Sequence, residues 1–151
     1  MAYIICFLFL WCILVLIVPY RDFRKFYPSM IFTGLVGIVC DLYGVASRQW
    51  TYNGPTVGGL SLWSVLGIAS AEGGLFIRLF PEAKNYQIKI AYWVGWALLN
   101  TIAERIFVWA GLVGYIQWNS FRAFLFYLFF FGAVWLQEYW YNGTGRLRKH
   151  E

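Results

Sequence analysis

Residues 121–141 read FRAFLFYLFFFGAVWLQEYWY, an apolar and aromatic run with few polar side chains. A transmembrane α-helix needs about 20 mostly apolar residues to cross roughly 30 Å of hydrocarbon. This stretch has that length, and four others come close to it. We therefore predict an all-α, polytopic transmembrane helix bundle, whose five spans cover residues 3–18, 29–47, 60–79, 87–113 and 121–141.

The composition of the whole chain agrees with a protein that exposes little surface to water. Of its 151 residues, 61% are hydrophobic and 13% are charged, whereas soluble domains carry about 25% charged residues. The spans and their short connectors account for nearly every residue. We therefore expect a single transmembrane domain, 1–151, in contact with membrane lipids.

Basic residues indicate how the spans are oriented. They follow the first span, flank the connector between the third and fourth, and follow the fifth: Arg21, Arg24, Lys25, Lys84, Lys89, Arg146, Arg148 and Lys149. An odd number of spans places all of them on one side, which the positive-inside rule makes the cytoplasm. We expect the N-terminus outside and the C-terminus in the cytoplasm. Because topology explains the net charge of +5, no nucleic-acid partner is expected.

Five polar residues lie inside the predicted spans: Asp41, Glu72, Asn100, Glu104 and Arg105. Such groups are costly in lipid, so they usually face the bundle interior or a cavity and have partners. Asp41 and Arg105 lie at matching depths, and we expect them to pair. Glu72 has no basic residue at its level, so we expect it to hold a proton. These residues form a polar seam that either fixes helix packing or surrounds a functional site.

The predicted fourth span carries aromatic residues on the face of its polar ones. Trp93, Trp96 and Phe107 share that face with Asn100 and Glu104 at helical spacing. The aromatic side chains are candidates for contact with a ligand. Packing against neighbouring helices, or anchoring at the membrane boundary, explains the same pattern.

The sequence offers little for a metal or a cofactor. Its only histidine is His150, and Cys6, Cys12 and Cys40 lie in apolar runs without a CxxC motif. We expect no cofactor, no metal and no disulfide. The candidates for catalysis are therefore the carboxyl groups of Glu72, Asp41 and Glu104.

From Arg21 onward the chain resembles a family of small, uncharacterised membrane proteins of endospore-forming Firmicutes. The residues that carry the resemblance are Arg21–Pro28, Asp41–Tyr52, Leu75–Pro81, Ile102–Arg105 and Tyr115–Asn119. The resemblance implies a multi-pass protein of the bacterial cytoplasmic (inner) membrane. It implies no particular activity.

A weaker resemblance is to the half-size subunits of heterodimeric lycopene cyclases. Asp41, an aromatic loop with Trp50 and Tyr52, and Glu72 before the pair Leu75-Phe76 stand in the order found there. The proline and doubled glutamate of that family are absent. The resemblance implies an intramembrane cyclase or isomerase of a polyprenyl or carotenoid lipid. Glu72 would then be the general acid.

The sequence leaves open whether the protein is an enzyme. One hypothesis is a small transport or pore component, and another is a structural or assembly component whose polar seam only locks the fold. A homo-oligomer and a complex with another membrane subunit both remain open. The third hypothesis is the cyclase, with Asp41 or Glu104 taking up a proton. No internal repeat is evident in the amino-acid sequence.

Overall fold

A computed structural model describes residues 2–53, 56, 57, 59, 61 and 67–142, and this part of the chain is mainly helical. Its elements are α1 (Ala2–Ile17), α2 (Phe23–Ala46), β1 (Trp50–Tyr52), α3 (Ala69–Arg78), α4 (Tyr86–Trp109), β2 (Val113–Tyr115) and α5 (Ser120–Asn142). The predicted all-helical architecture is confirmed, with one small sheet added.

Among the described residues, two helices are long and apolar enough to cross a membrane. They are Phe23–Ala46, with a mean hydropathy of 1.7, and Ser120–Tyr141, with 1.4. Only 28% and 22% of their most apolar stretches are buried inside the protein, so most of these side chains lie on its surface. Tyr3–Ile17 is also apolar but shorter. Length and composition thus allow two spans, and the other three remain predictions.

The helix bounds differ from the predicted spans at two places. α2 begins at Phe23 instead of residue 29, and Pro28 lies inside the helix, in its second turn. α4 ends at Trp109 instead of residue 113, because Gly111 adopts a left-handed conformation with φ of 71°. The predicted third span, 60–79, falls partly outside the described residues, and its described helix begins at Ala69.

Glycines of α3 bring that helix close to α2. A Cβ on Gly73 would overlap the side chain of Thr33, and one on Gly74 would lie 3.0 Å from Cγ of Met30. Small residues permit such contacts between helix backbones in membranes. Next to this contact between α2 and α3, Phe76 of α3 and Phe131 of α5 are fully buried with ring centroids 4.9 Å apart.

The structure contains an internal repeat that residue identity conceals. Adding 63 to each residue number of α2 and β1 gives the bounds of α4 and β2. Both helices have 24 residues and both strands have three. Arg48, with φ of 54°, corresponds to Gly111. In the two helices and strands only three residues equal their counterparts, namely Leu35, Val45 and Tyr52, which explains why the sequence shows no repeat.

The two-stranded sheet pairs one strand from each repeat, and the pairing is symmetric about its central residue pair. β1 and β2 are antiparallel and pair Trp50 with Tyr115, Thr51 with Gly114 and Tyr52 with Val113. Exchanging the repeats leaves this register unchanged, as a two-fold axis through the Thr51–Gly114 pair requires. The strands therefore hold the ends of α2 and α4 together.

Candidate functional site

A cavity of about 130 Å³ lies between helices α2, α3, α4 and α5, next to the β1–β2 sheet. Its lining includes Asp41, Glu72, Asn100 and Glu104, four of the five polar residues predicted inside the spans. Dry cavities of about 150 Å³ bind ligands of the size of benzene. The space is therefore large enough for a small ligand or a group of waters.

Asp41 lies five residues before the end of α2, about 8 Å along the helix axis from it. The Tyr52 hydroxyl of β1 donates a 2.7 Å hydrogen bond to its Oδ2. Asp41 is partly buried. The strand that follows α2 thus returns a donor to the carboxyl group of that helix.

Glu104 occupies the equivalent place in α4, five residues before its end, and is held by three donors. Tyr115 and Trp118 donate to Oε1 at 2.7 and 3.1 Å, and Tyr127 of α5 donates to Oε2 at 2.7 Å. Burial, and next the hydrogen bond to Glu104, raise the pKa of Tyr115, so its hydroxyl stays protonated and can donate. Three neutral donors orient both carboxyl oxygens without neutralising a charge.

Glu72 and Asn100 each have a polar atom beside the cavity that accepts no hydrogen bond from the described residues. No side chain of the described residues donates a hydrogen bond to the Glu72 carboxyl group, which lies in the first turn of α3. Asn100 is only 6% exposed, and its Nδ2 donates to the Trp96 carbonyl at 3.1 Å. Its Oδ1 accepts no hydrogen bond within the described part of the chain. Both residues can therefore bind a ligand without breaking an existing contact.

Arg105 does not pair with Asp41, and that expectation is wrong. The side chain is exposed and lines a surface groove with Ile102, Ile106 and Trp109. Because α4 ends at Trp109, Arg105 lies only about 6 Å from the helix end, and its side chain lies on the surface. Among the residues that the structure describes, the cavity lining consequently contains carboxyl groups but neither lysine nor arginine.

The three aromatic candidates divide between the cavity and the packing. Phe107 lines the cavity. Trp93 donates from Nε1 to the Leu128 carbonyl at 3.0 Å, which ties α4 to α5. Trp96 packs between Phe76 and Phe131, at centroid distances of 5.9 and 6.1 Å. Neither tryptophan is among the cavity's lining residues.

The sequence reasoning missed the donors that hold the two carboxyl groups. Tyr52, Tyr115, Trp118 and Tyr127 are not among the candidate site residues that the sequence indicates. A signal did exist, since each of the first two lies eleven residues after the carboxyl group it contacts. That spacing has no meaning until the strands are known to turn back over the helix ends.

Within the described residues, no three His, Cys, Asp or Glu side chains come together in a way that could hold a metal ion. Comparison with family models, curated proteins and solved structures gives no match for the chain. The two resemblances stated from the sequence remain predictions. The candidate site therefore rests on its own geometry.

Proposed function

We propose that this is a small transport component that crosses the bacterial cytoplasmic membrane five times and binds a monovalent cation in exchange for a proton. One observation carries the proposal. Carboxyl groups from α2, α3 and α4 share a cavity that no basic side chain of the described residues lines. The N-terminus outside and the C-terminus in the cytoplasm complete the proposed topology.

The exposed apolar surface supports residence in a membrane. Large side chains such as Leu16, Phe129 and Trp140 are 85%, 78% and 82% exposed. Exposed apolar surface on this scale is unfavourable in water, whereas lipid tails solvate it. We propose membrane lipids as the direct partners, and leave a second copy or another membrane subunit as alternatives.

The charge of the cavity supports the choice of a cation. A carboxylate away from water is costly unless an opposite charge neutralises it. The hydroxyl and indole donors around Asp41 and Glu104 stabilise a charge but do not cancel it. The carboxyl group of Glu72, which accepts no hydrogen bond from the described residues, must therefore hold a proton or lie next to a bound cation. A cation that enters consequently displaces a proton.

The size and aromatic content of the cavity limit the cation. About 130 Å³ accommodates roughly four waters at about 30 Å³ each, or one small organic ammonium ion. Phe107, Phe126 and Trp118 are among the residues that line this space, and aromatic rings attract cations over their faces. The probes are therefore Na⁺, K⁺ and tetramethylammonium.

The test measures cation binding to the protein in nanodiscs, in weakly buffered solution with a pH indicator. We expect saturable binding of one probe accompanied by proton release. Asp41→Asn, Glu72→Gln and Glu104→Gln should each change affinity or proton release. Glu82→Gln, in the connector between α3 and α4, is the matched control and should change neither. Unchanged behaviour of all three cavity variants would exclude the proposal and favour a structural role.

A second candidate, an intramembrane cyclase or isomerase of a polyprenyl or carotenoid lipid, is favoured by Glu72. Its carboxyl group has no donor in the described residues, and the cavity also presents Phe126 and Phe130. Glu72 would transfer its proton to an alkene carbon, forming a C–H bond and a carbocation that aromatic faces stabilise. Asp41 or Glu104 would accept a proton from a neighbouring carbon, which restores a double bond without any redox change.

Co-expression in a lycopene- or squalene-producing host tests this alternative. The expected product has the mass of the substrate and a different retention time in chromatography and mass spectrometry. Glu72→Gln should abolish it. If neither a new product nor a co-purified isoprenoid is found, the enzymatic candidate fails.

A further inference from the structure

The repeat of α2 and α4 extends to the helices that pack against them. A Cβ on Gly74 of α3 would lie 3.0 Å from Met30, and one on Gly132 of α5 would lie 2.6 Å from Trp93. Met30 and Trp93 are 63 residues apart, which is the offset that relates α2 to α4. Gly74 and Gly132 are 58 residues apart, so an offset of 58 relates α3 to α5. The two halves therefore correspond to each other. The segment between the strand and the helix that follows it is five residues shorter in the second half.

A second pair of contacts confirms this alignment. A Cβ on Gly73 would meet Thr33, and the corresponding residues Phe131 and Trp96 are ring partners with centroids 6.1 Å apart. The same two offsets therefore relate two independent contacts. The unit α2–β1–α3 and the unit α4–β2–α5 are two copies of one arrangement.

The cavity is lined by equivalent positions of the two copies. Three positions of α2 and the three equivalent positions of α4 line the cavity. They are Gly37, Cys40 and Asp41 in α2, which correspond to Asn100, Ala103 and Glu104 in α4. Asp41 and Glu104 each accept a hydrogen bond from the tyrosine of their own strand, at 2.7 Å in both cases. The two carboxyl groups thus occupy the same place in the two copies.

Helices α3 and α5 also contribute equivalent positions to the cavity, but their side chains differ in chemistry. Ile68, Ala69 and Glu72 correspond to Phe126, Tyr127 and Phe130, and these six residues also line the cavity. Where the first copy has a carboxyl group at residue 72, the second has a phenyl ring at residue 130. Glu72 is therefore the acidic residue that departs from the symmetry of the cavity.

From this placement we infer that Asp41 and Glu104 bind one cation jointly across an internal two-fold axis, and that Glu72 carries the exchanged proton. The inference deepens the proposed function and rests on it. When the cation enters, the O–H bond of Glu72 breaks and its proton leaves to water. One positive charge enters and one leaves, so the charge of the cavity is unchanged.

The test moves the acidic side chain to its symmetry-related position. Glu72→Phe should still bind the probe cation, within a few-fold of the original affinity, without releasing a proton. Adding Phe130→Glu should restore release of about one proton per cation, since the new carboxyl group lies in the equivalent place. The matched control adds Phe126→Glu to Glu72→Phe, which places an acid elsewhere in the cavity and should not restore proton release.

The results separate this inference from the proposed function. If the wild-type protein binds none of the probes, both fail. If it exchanges cations for protons but a folded Glu72→Phe/Phe130→Glu variant releases none, the symmetric assignment alone is overturned. Should that variant not fold, Glu72→Gln decides the question, because it is expected to keep binding and lose proton release. Binding with unchanged proton release, or loss of binding, would contradict the role given to Glu72.

Discussion

Tyr52 donates a 2.7 Å hydrogen bond to Asp41, eleven residues before it, and so closes the end of α2 over its own carboxyl group. The same distance and spacing recur 63 residues later between Tyr115 and Glu104. Because the two tyrosines lie on paired strands, the sheet couples the positions of both carboxyl groups.

Removing either tyrosine hydroxyl should weaken the structure. Tyr52→Phe or Tyr115→Phe leaves a partly buried carboxyl group without one donor, which costs about 1–3 kcal/mol of the free energy of unfolding. Thermal unfolding in nanodiscs measures the change. Tyr86→Phe is the matched control, because that side chain is 75% exposed and should change nothing. Equal stability of all three variants would contradict the role of the strands.

The close contact between α2 and α3 should not tolerate a larger residue at Gly73. Gly73→Ala forces a Cβ against Thr33, and overpacking of this kind costs about 1–3 kcal/mol. Gly95→Ala is the control in α4, since a Cβ there meets nothing within 4 Å. Unfolding in detergent should separate the two variants. If Gly73→Ala is as stable as Gly95→Ala, the described packing of α3 on α2 is wrong.

Arg105 should be dispensable for the cavity. Arg105→Gln is expected to leave cation affinity within about twofold, because the side chain lies on the exposed surface of α4 and not beside Asp41. Binding in nanodiscs measures it, with Asp41→Asn as the variant that should lose affinity. A loss in Arg105→Gln as large as that in Asp41→Asn would show that the two residues act together after all.

Cation affinity should rise with pH. The cation-free cavity holds more protons than the cation-bound cavity, so lowering the proton concentration favours binding. Release of one proton gives about a tenfold change in affinity per pH unit while the exchanging group is protonated in the free protein. Titrations of one probe at several pH values measure the slope. An affinity that does not vary with pH, or falls as pH rises, would contradict proton exchange.

Much of the architecture follows from apolar length and from the cost of charge in lipid. Residues 121–141 and the run before Ser47 predicted helices that the structure contains. The same cost placed Asp41, Glu72 and Glu104 in the bundle interior, and all three line one cavity. The location of these groups was predictable because an ionisable side chain on an otherwise apolar helix usually faces other polar groups in the interior.

The remaining features depend on contacts that one-dimensional spacing does not contain. Depth alone matched Arg105 to Asp41, but the left-handed turn at Gly111 ends α4 early and lets Arg105 reach the surface. The tyrosine donors depend on two strands of three residues each. The repeat is not visible in the sequence because equivalent positions carry chemically different residues, as at Gly37 and Asn100.

Simultaneous measurement of cation uptake and internal pH in proteoliposomes tests the central claim most directly. Wild-type protein should take up one of the three probe cations while protons move the opposite way, and Glu72→Gln should uncouple or abolish that movement. Uptake by wild-type vesicles that equals uptake by protein-free vesicles, with the protein shown to be folded, would contradict the account.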